Sequence, residues 1–372
     1  MTDHDVLADL EARGLVQECT DPAGLAARLA EGTVSVSVAA GVAAVVSAFP
    51  DVHDFRVPIG VVMIVLITLG NLRGLLVLRR FQEAGHRPIA RAGGATGMVG
   101  DPSGRSEERN LLDEATLAAN VAAIKAQISR VVGPDVTLVD NRDWTGEVRL
   151  LDFLRDVGKH VTVNTMLGRE SVKNRLASEH GISYTEFSYM LLQAHDFLRL
   201  EEEHGCQVQI GGSDQWGNML GGVDLIRRVH GRQAWALGWP LLTAPDGTKL
   251  GKTTGARIWL DPERTSPYQF FQHWMQTDDR QVRQFLAQFT LLPVSEIDEL
   301  VAEHLAEPGR REGQRRLARE ATALVHGGAE AAAAEEASAI LFGAPVDDAS
   351  AAALAAVARE VPVVLVARAE LD

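Results

Sequence analysis

The sequence predicts an α/β chain, with a parallel-sheet domain followed by a smaller helical one. Three observations carry that prediction. Strand-like and helix-like stretches alternate from Pro88 through Asp140, as in a parallel sheet with crossover helices. Glycine-dense loops follow two of the strands, beginning at Gly93 and Gly211, where α/β sheets place their ligands. Residues 265–342 then read as largely helical.

Composition bounds the rest. The chain has 372 residues, 46% of them hydrophobic, which suits about two domains with proper cores and argues against disorder. Cys19 and Cys206 are too few for a disulfide framework, and the acidic start Met1-Thr2-Asp3-His4-Asp5 is unlike a secretory signal, so a cytoplasmic location is expected. A net charge of -14 argues against indiscriminate nucleic-acid binding, although a local basic face could still meet one RNA.

Residues 5–31 read as two helices around the polar turn Thr20-Asp21-Pro22, the second carrying Leu25 and Leu29 and ending near Gly32. From Val34 to Leu69 the chain turns to Val, Ala and Ile, with its apolar peak over residues 59–67. A bilayer span needs about 20 apolar residues, and this run is closed by Pro58 on one side and by Asn71 and Arg73 on the other. A buried strand or displaced core is therefore expected, with a membrane anchor at 57–78 as the competitor that fractionation would discard. His53, between Asp51 and Asp54, is a polar loop residue without a second histidine at helical spacing.

A helix is predicted over residues 72–84, with Leu72, Leu75 and Leu76 on a different face from Arg79 and Arg80, and Gly85 as its stop. The strand 88–92 feeds the loop Gly93-Gly94-Ala95-Thr96-Gly97-Met98-Val99-Gly100-Asp101-Pro102-Ser103-Gly104-Arg105. It is not a Walker loop, because Val99 stands in place of the first glycine and Arg105 in place of the lysine. A helix from Asp113 past Ile128 and a strand over 136–140 follow.

Ser183-Tyr184-Thr185-Glu186 has capping-box spacing and opens a helix to about Leu200. Steps of four and three place Tyr189, Gln193 and Asp196 on one face, flanked by Phe187, Met190, Leu191, Ala194, Phe197 and Leu198. A buried polar row must find partners. An exposed amphipathic face is the alternative, though such faces usually carry Lys and Glu. The strand 207–210 ends in Gly211-Gly212-Ser213-Asp214-Gln215-Trp216-Gly217-Asn218, where Asp214 could meet a sugar hydroxyl and Gln215 a carbonyl, or where the chain merely turns. In Pro245-Asp246-Gly247-Thr248-Lys249-Leu250-Gly251-Lys252-Thr253, turn chemistry brings two lysines to either side of a glycine. Such a loop can carry two ammonium groups to a phosphate, or it is a solvated turn. Arg310, Arg311, Arg315, Arg316 and Arg319 form a basic cluster, which is either a solvated face or an RNA contact.

Together these residues resemble a bacterial tyrosyl-tRNA synthetase, a class I aminoacyl-tRNA synthetase. The resemblance rests on Leu78-Arg79-Arg80-Phe81-Gln82, the loop from Gly94 to Gly104, Asn164-Thr165-Met166-Leu167, the helix around Tyr189, the segment Gln209 to Asn218, and Lys249-Leu250-Gly251-Lys252-Thr253 as a KMSKS-like signature. It spans about three quarters of the chain. It implies a Rossmann-like catalytic domain over 1–260, with 35–69 anomalous, a helical tRNA-facing domain over 261–342, and a tail over 343–372 without the family's small C-terminal RNA-binding module.

The implied reaction is activation of L-tyrosine by ATP to tyrosyl-adenylate, then transfer to tRNA(Tyr), in a homodimer without a membrane. Magnesium accompanies the ATP, and no protein metal site is implied. By the same resemblance, Tyr189, Gln193 and Asp101 hold the substrate ammonium, and Asp196 meets the phenol. Gln215 serves the carboxylate region, and Thr96 forms the rim of the pocket. Gly212 and Asp214 meet the ribose, Gly70 and Asn71 the ATP, and Lys249, Lys252 and Thr253 grip the phosphates. Arg105 and Arg109 fall where the family places mobile basic side chains. A site that hydrogen-bonds the phenol rejects phenylalanine by a factor on the order of 10⁵, a magnitude known for these synthetases.

Upstream the resemblance weakens. Ser37 stands where a tyrosine is expected, and the HIGH signature is reduced to Thr68-Leu69-Gly70-Asn71. Asn71 is acceptable there; Thr68 in place of the first histidine is not. The intervening segment is about 20 residues longer than the family's. Arg91 interrupts a strand expected to be apolar, where an unpaired guanidinium would be costly. Impaired tyrosine activation is therefore expected, with a degenerate, non-catalytic tyrosine- or nucleotide-binding protein as the alternative.

Overall fold

The computed structural model describes residues 5–38, 69–96, 114–177, 181–243 and 258–362. They belong to two compact units, residues 1–253 and 254–372. In the first unit the helices are α1 (Val6–Ala12), α2 (Pro22–Ala30), α3 (Leu69–Glu83), α4 (Glu114–Val132), α5 (Arg142–Thr145), α6 (Leu150–Asp156), α7 (Val163–Leu167), α8 (Glu170–Leu176), α9 (Tyr184–His204) and α10 (Trp216–His230). Its strands are β1 (Glu18–Cys19), β2 (Ser35–Val38), β3 (Arg87–Ala92), β4 (Thr137–Asp140), β5 (Cys206–Gly212) and β6 (Trp235–Trp239).

These strands form one sheet in the order β1-β6-β5-β2-β3-β4. Neighbours from β6 to β4 run parallel, and only the two-residue β1 is antiparallel, against β6. The chain walks outward from β2 to β4 and then returns with β5 to the other side of β2. That reversal is the topological switch of a Rossmann-like sheet, and it opens a crevice at the carboxyl ends of the strands.

Strand alternation sorts the two faces. Ser37 lies beside Ile89 and Gln209, and Arg91 beside Val139. Ile89 and Val139 pack with Phe197 and Leu198 of α9 and with Leu225 and Ile226 of α10, so Ser37 and Arg91 belong to the face those helices cover. The opposite face carries Val38 and Trp239. Helix α3 rides there on Gly74, where a Cβ would lie 3.4 Å from Trp239 and 3.7 Å from Val38.

Helix α9 starts where its signals predict and runs four residues beyond the expected end at Leu200, to His204. Ser183 Oγ accepts from the Glu186 amide, Glu186 returns the bond, and Gly205 ends the helix with φ near +60°. The α9–α10 crossing is close, because a Cβ on Gly222 would meet the Phe197 ring at 2.6 Å. Strands β1 and β6 were not among the predicted elements. Among the described residues no helix is long and apolar enough to cross a membrane, and residues 39–68 lie outside the description.

The second unit contains α11 (Pro267–Met275), α12 (Val282–Phe289), α13 (Val294–Ala306), α14 (Glu312–His326), α15 (Gly328–Leu341) and α16 (Ala351–Glu360). Its core is aromatic. Trp274 meets Phe270 and Phe285 edge-on at 6.0 Å, and Phe289 at 4.9 Å. Helix α16 packs on α15, and its Glu360 accepts from Ser266 Oγ at 2.5 Å and Gln269 Nε2 at 3.0 Å. The basic cluster is largely neutralised within the unit. Arg310 pairs with Glu307, Arg315 with Glu312, Arg316 with Glu296 and Glu320, and Arg319 with Glu335, while Arg311 donates to the Met275 carbonyl.

Candidate functional site

The polar row on α9 is buried. Tyr189 and Gln193 are each 4% exposed and Asp196 is fully enclosed, which sets aside the exposed-face reading. Buried polar groups need partners, and Asp196 has three among the described residues. Its Oδ2 accepts from Arg91 Nη1 at 2.5 Å and from Asn141 Nδ2 at 3.0 Å, and its Oδ1 accepts from Trp144 Nε1 at 2.8 Å. Arg91 is therefore not the unpaired charge that its strand position suggested. Two strand positions inward from the glycine loop, it reaches across the sheet face to the helix.

Asn141 ties the site together. Its Oδ1 accepts from the Ala95 amide at 2.8 Å, and its Nδ2 donates both to Thr96 Oγ1 at 3.0 Å and to Asp196. One step earlier, Asp140 Oδ1 accepts from the amides of Gly94 and Arg142, each at 3.0 Å. A Cβ on Gly94 would lie 2.3 Å from that oxygen, so a side chain there would push the Asp140 carboxylate out of this position. The end of β4 thus holds the start of the glycine loop against the polar row. Asn141 and Trp144 were missed in the sequence; their only signal was their place directly after the strand 136–140.

A second polar group lies at the carboxyl end of β5. Asp214 is exposed, while Gln215 is 7% exposed. Gln215 Nε2 lies 3.5 Å from Asp214 Oδ2, and Asn218 Nδ2 donates to Gln215 Oε1 at 3.1 Å. A Cβ on Gly212 would meet Asp214 Oδ1 at 2.6 Å, so the backbone there comes close to the carboxylate. Arg73 of α3 is buried with its guanidinium 5.9 Å from the centre of the Trp239 ring. Burial lowers its pKa to about 10, opposed by the field of Asp214, so it stays cationic at neutral pH.

The predicted residues thus fall into three sets. Thr96 and Asp196 meet through Asn141, with Gln193 and Tyr189 one and two turns along the same helix. Gly212, Asp214 and Gln215 sit together after β5. Gly70 and Asn71 occupy the first turn of α3. Asp101, Arg105, Arg109, Lys249, Lys252 and Thr253 lie outside the described residues. The arrangement presents an enclosed carboxylate at one end, an amide and a phenol beside it, and an exposed carboxylate with two amides at a neighbouring strand end. Such groups can hydrogen-bond a small polar molecule.

The sequence profile of the family described as tRNA synthetases class I (W and Y) matches residues 65–343. The chain is 49% identical over 362 residues to the tyrosine–tRNA ligase of Opitutus terrae, covering 96% of this chain and 80% of that protein. It is 51% identical over 309 residues to the tyrosine–tRNA ligase of Roseiflexus castenholzii, covering 82% and 73%. Among solved structures it is similar to a C-terminally truncated mitochondrial tyrosyl-tRNA synthetase of Aspergillus nidulans, with a TM-score of 0.75, 30% identity, and coverage of 91% and 94%.

Proposed function

The chain belongs to the class I tRNA synthetases of the W and Y family, with tyrosine–tRNA ligases as its relatives, and from that premise we propose how its own residues serve tyrosine activation. Tyrosine enters the crevice at the switch between β2 and β5. Tyr189, Gln193 and Asp101 hold its ammonium, Asp196 faces its phenol, Thr96 lines the rim, and Gln215 serves the carboxylate. Gly212 and Asp214 take the ribose of ATP, Gly70 and Asn71 lie beside the nucleotide, and Lys249, Lys252 and Thr253 grip the phosphates.

The chemistry follows from that placement. Attack of the tyrosine carboxylate on the α-phosphorus forms the adenylate and releases pyrophosphate. Charge grows on a five-coordinate phosphorus during the step, and ammonium groups fixed around it favour that geometry over the ground state. Transfer of the tyrosyl group to tRNA(Tyr) completes the cycle. No cluster of three His, Cys, Asp or Glu side chains stands ready to cage a metal among the described residues. Magnesium belongs with the ATP phosphates in this reading, as its hard-oxygen chemistry favours. The family's dimeric assembly, a cytoplasmic setting, and the division into a catalytic domain over 1–260 and a tRNA-facing one over 261–342 complete the reading.

The observation that carries it is the buried row Tyr189, Gln193 and Asp196 at the carboxyl end of a parallel sheet. Thr68 and Ser37 favour an impaired enzyme. If each lost transition-state contact is worth about 3 kcal/mol, losing the signature histidine and one neighbour slows adenylation by on the order of 10⁴. The same departures support the second reading, a tyrosine-binding homologue without chemistry. Calorimetry with L-tyrosine, run beside an assay for adenylate, separates them: an enzyme binds and forms adenylate, a degenerate homologue only binds, and a chain that does neither contradicts both.

A further inference from the structure

A pocket of about 370 Å³ lies between α5 and α9, lined by Asp143, Trp144, Glu147, His195, Arg199 and Glu203. Steps of four set His195, Arg199 and Glu203 along one stripe of α9, a stretch of about 12 Å at the ordinary helical rise. His195 is 5% exposed and meets Phe153 of α6 edge-on, with 5.6 Å between ring centres. It has no hydrogen-bond partner among the described residues. A buried polar ring without a partner calls for an explanation. Burial lowers its pKa from the ordinary 6.5, so at neutral pH the ring is uncharged and offers a lone pair. The carboxylates of Asp143, Glu147 and Glu203 outnumber the pocket's one cation, Arg199, which is already bound to Glu202 at 2.7 Å and to Glu203. Neither Asp143 nor Glu147 forms an ion pair with a described residue.

Acceptors in excess of donors favour a cationic, donor-rich guest. A metal ion fits less well, because among the described residues no three His, Cys, Asp or Glu side chains are placed to hold one. An ammonium group brings three donors and a charge without demanding a coordination shell. We infer that this pocket binds a linear aliphatic diamine, its ammonium groups taken by the carboxylates of α5 and α9 above the His195 imidazole. The length of the α9 stripe suits an extended chain with a charge at each end, where a single ammonium would leave part of the acidic rim unmatched. The site is distinct from the polar row and shares one wall with it, since Trp144 also donates to Asp196.

Titration calorimetry of the full chain with 1,4-diaminobutane tests this, beside butylamine and magnesium chloride. Saturable binding of one diamine per chain is expected, at least about tenfold tighter than butylamine, because the second ammonium adds its own charge-assisted hydrogen bonds. A chain of net charge -14 attracts any cation, so local and general attraction must be separated. Asp143→Asn combined with Glu147→Gln, both at exposed positions, is expected to weaken the diamine at least about tenfold. Glu299→Gln combined with Glu303→Gln, also exposed but on α13, removes the same charge and is expected to change affinity by less than about twofold. His195→Phe keeps a ring against Phe153 and is expected to cost about fivefold. If that variant does not fold, the exposed pair decides. Absence of saturable binding overturns the inference, as does equal loss in the α5 and α13 variants. Butylamine binding as tightly as the diamine overturns it, and so does unchanged affinity in folded His195→Phe. Magnesium binding that exceeds the diamine's and is lost in the α5 variant makes the pocket a metal site and overturns it as well.

Discussion

Arg91 on β3 and Asp196 on α9 form an ion pair enclosed by the protein, with Nη1 2.5 Å from Oδ2. Attraction in such a pair roughly offsets the cost of taking two charges out of water, so its presence adds little by itself. Breaking it is another matter. Asp196→Ala leaves a buried guanidinium without its carboxylate and is expected to cost about 3–5 kcal/mol in urea unfolding; a loss below about 1 kcal/mol would show the pair to be solvated.

The α9–α10 crossing makes a packing prediction independent of the site. A methyl at position 222 enters space already held by Phe197, whose ring lies 2.6 Å from where that Cβ would be. Gly222→Ala is expected to destabilise by about 1–3 kcal/mol despite its better helix propensity. A denaturation midpoint equal to or above that of the unaltered chain would mean that the two helices part easily.

His273 sets a pH limit on the helical unit. Its ring lies 5.2 Å from Trp274, edge to face, and burial lowers its pKa from 6.5 to about 4. The unfolded chain therefore takes up this proton first as the pH falls. The stability held by the neutral ring is complete above pH 6.5 and drains away between 6.5 and 4, by up to about 3 kcal/mol. His273→Gln is expected to flatten that part of the stability profile, measured by denaturation at several pH values. An identical slope in the variant would place the proton uptake elsewhere.

Much of this was legible in sequence because its signals are local. Ser183 and Glu186 announce the start of α9, and the helical repeat puts Tyr189, Gln193 and Asp196 on one face before any fold is known. What was not legible depended on distant partners. Arg91 looks like a fault in its strand because its carboxylate lies 105 residues away. Asn141 and Trp144 sit at the edge of a four-residue helix, too short for any periodicity to mark. The arginines around 310–319 read as a basic patch because Glu296 and Glu335 come from other helices. Strand β6 is a short apolar run, the kind whose secondary structure periodicity cannot decide.

The roles proposed for the site meet in one reaction, and pyrophosphate exchange reads it directly. Labelled pyrophosphate is followed into ATP with and without L-tyrosine, in the unaltered chain and in Thr68→His. The expected result is slow exchange that depends on tyrosine and accelerates strongly when the histidine is restored. Exchange indifferent to tyrosine, or equal rates in the two proteins, would contradict it.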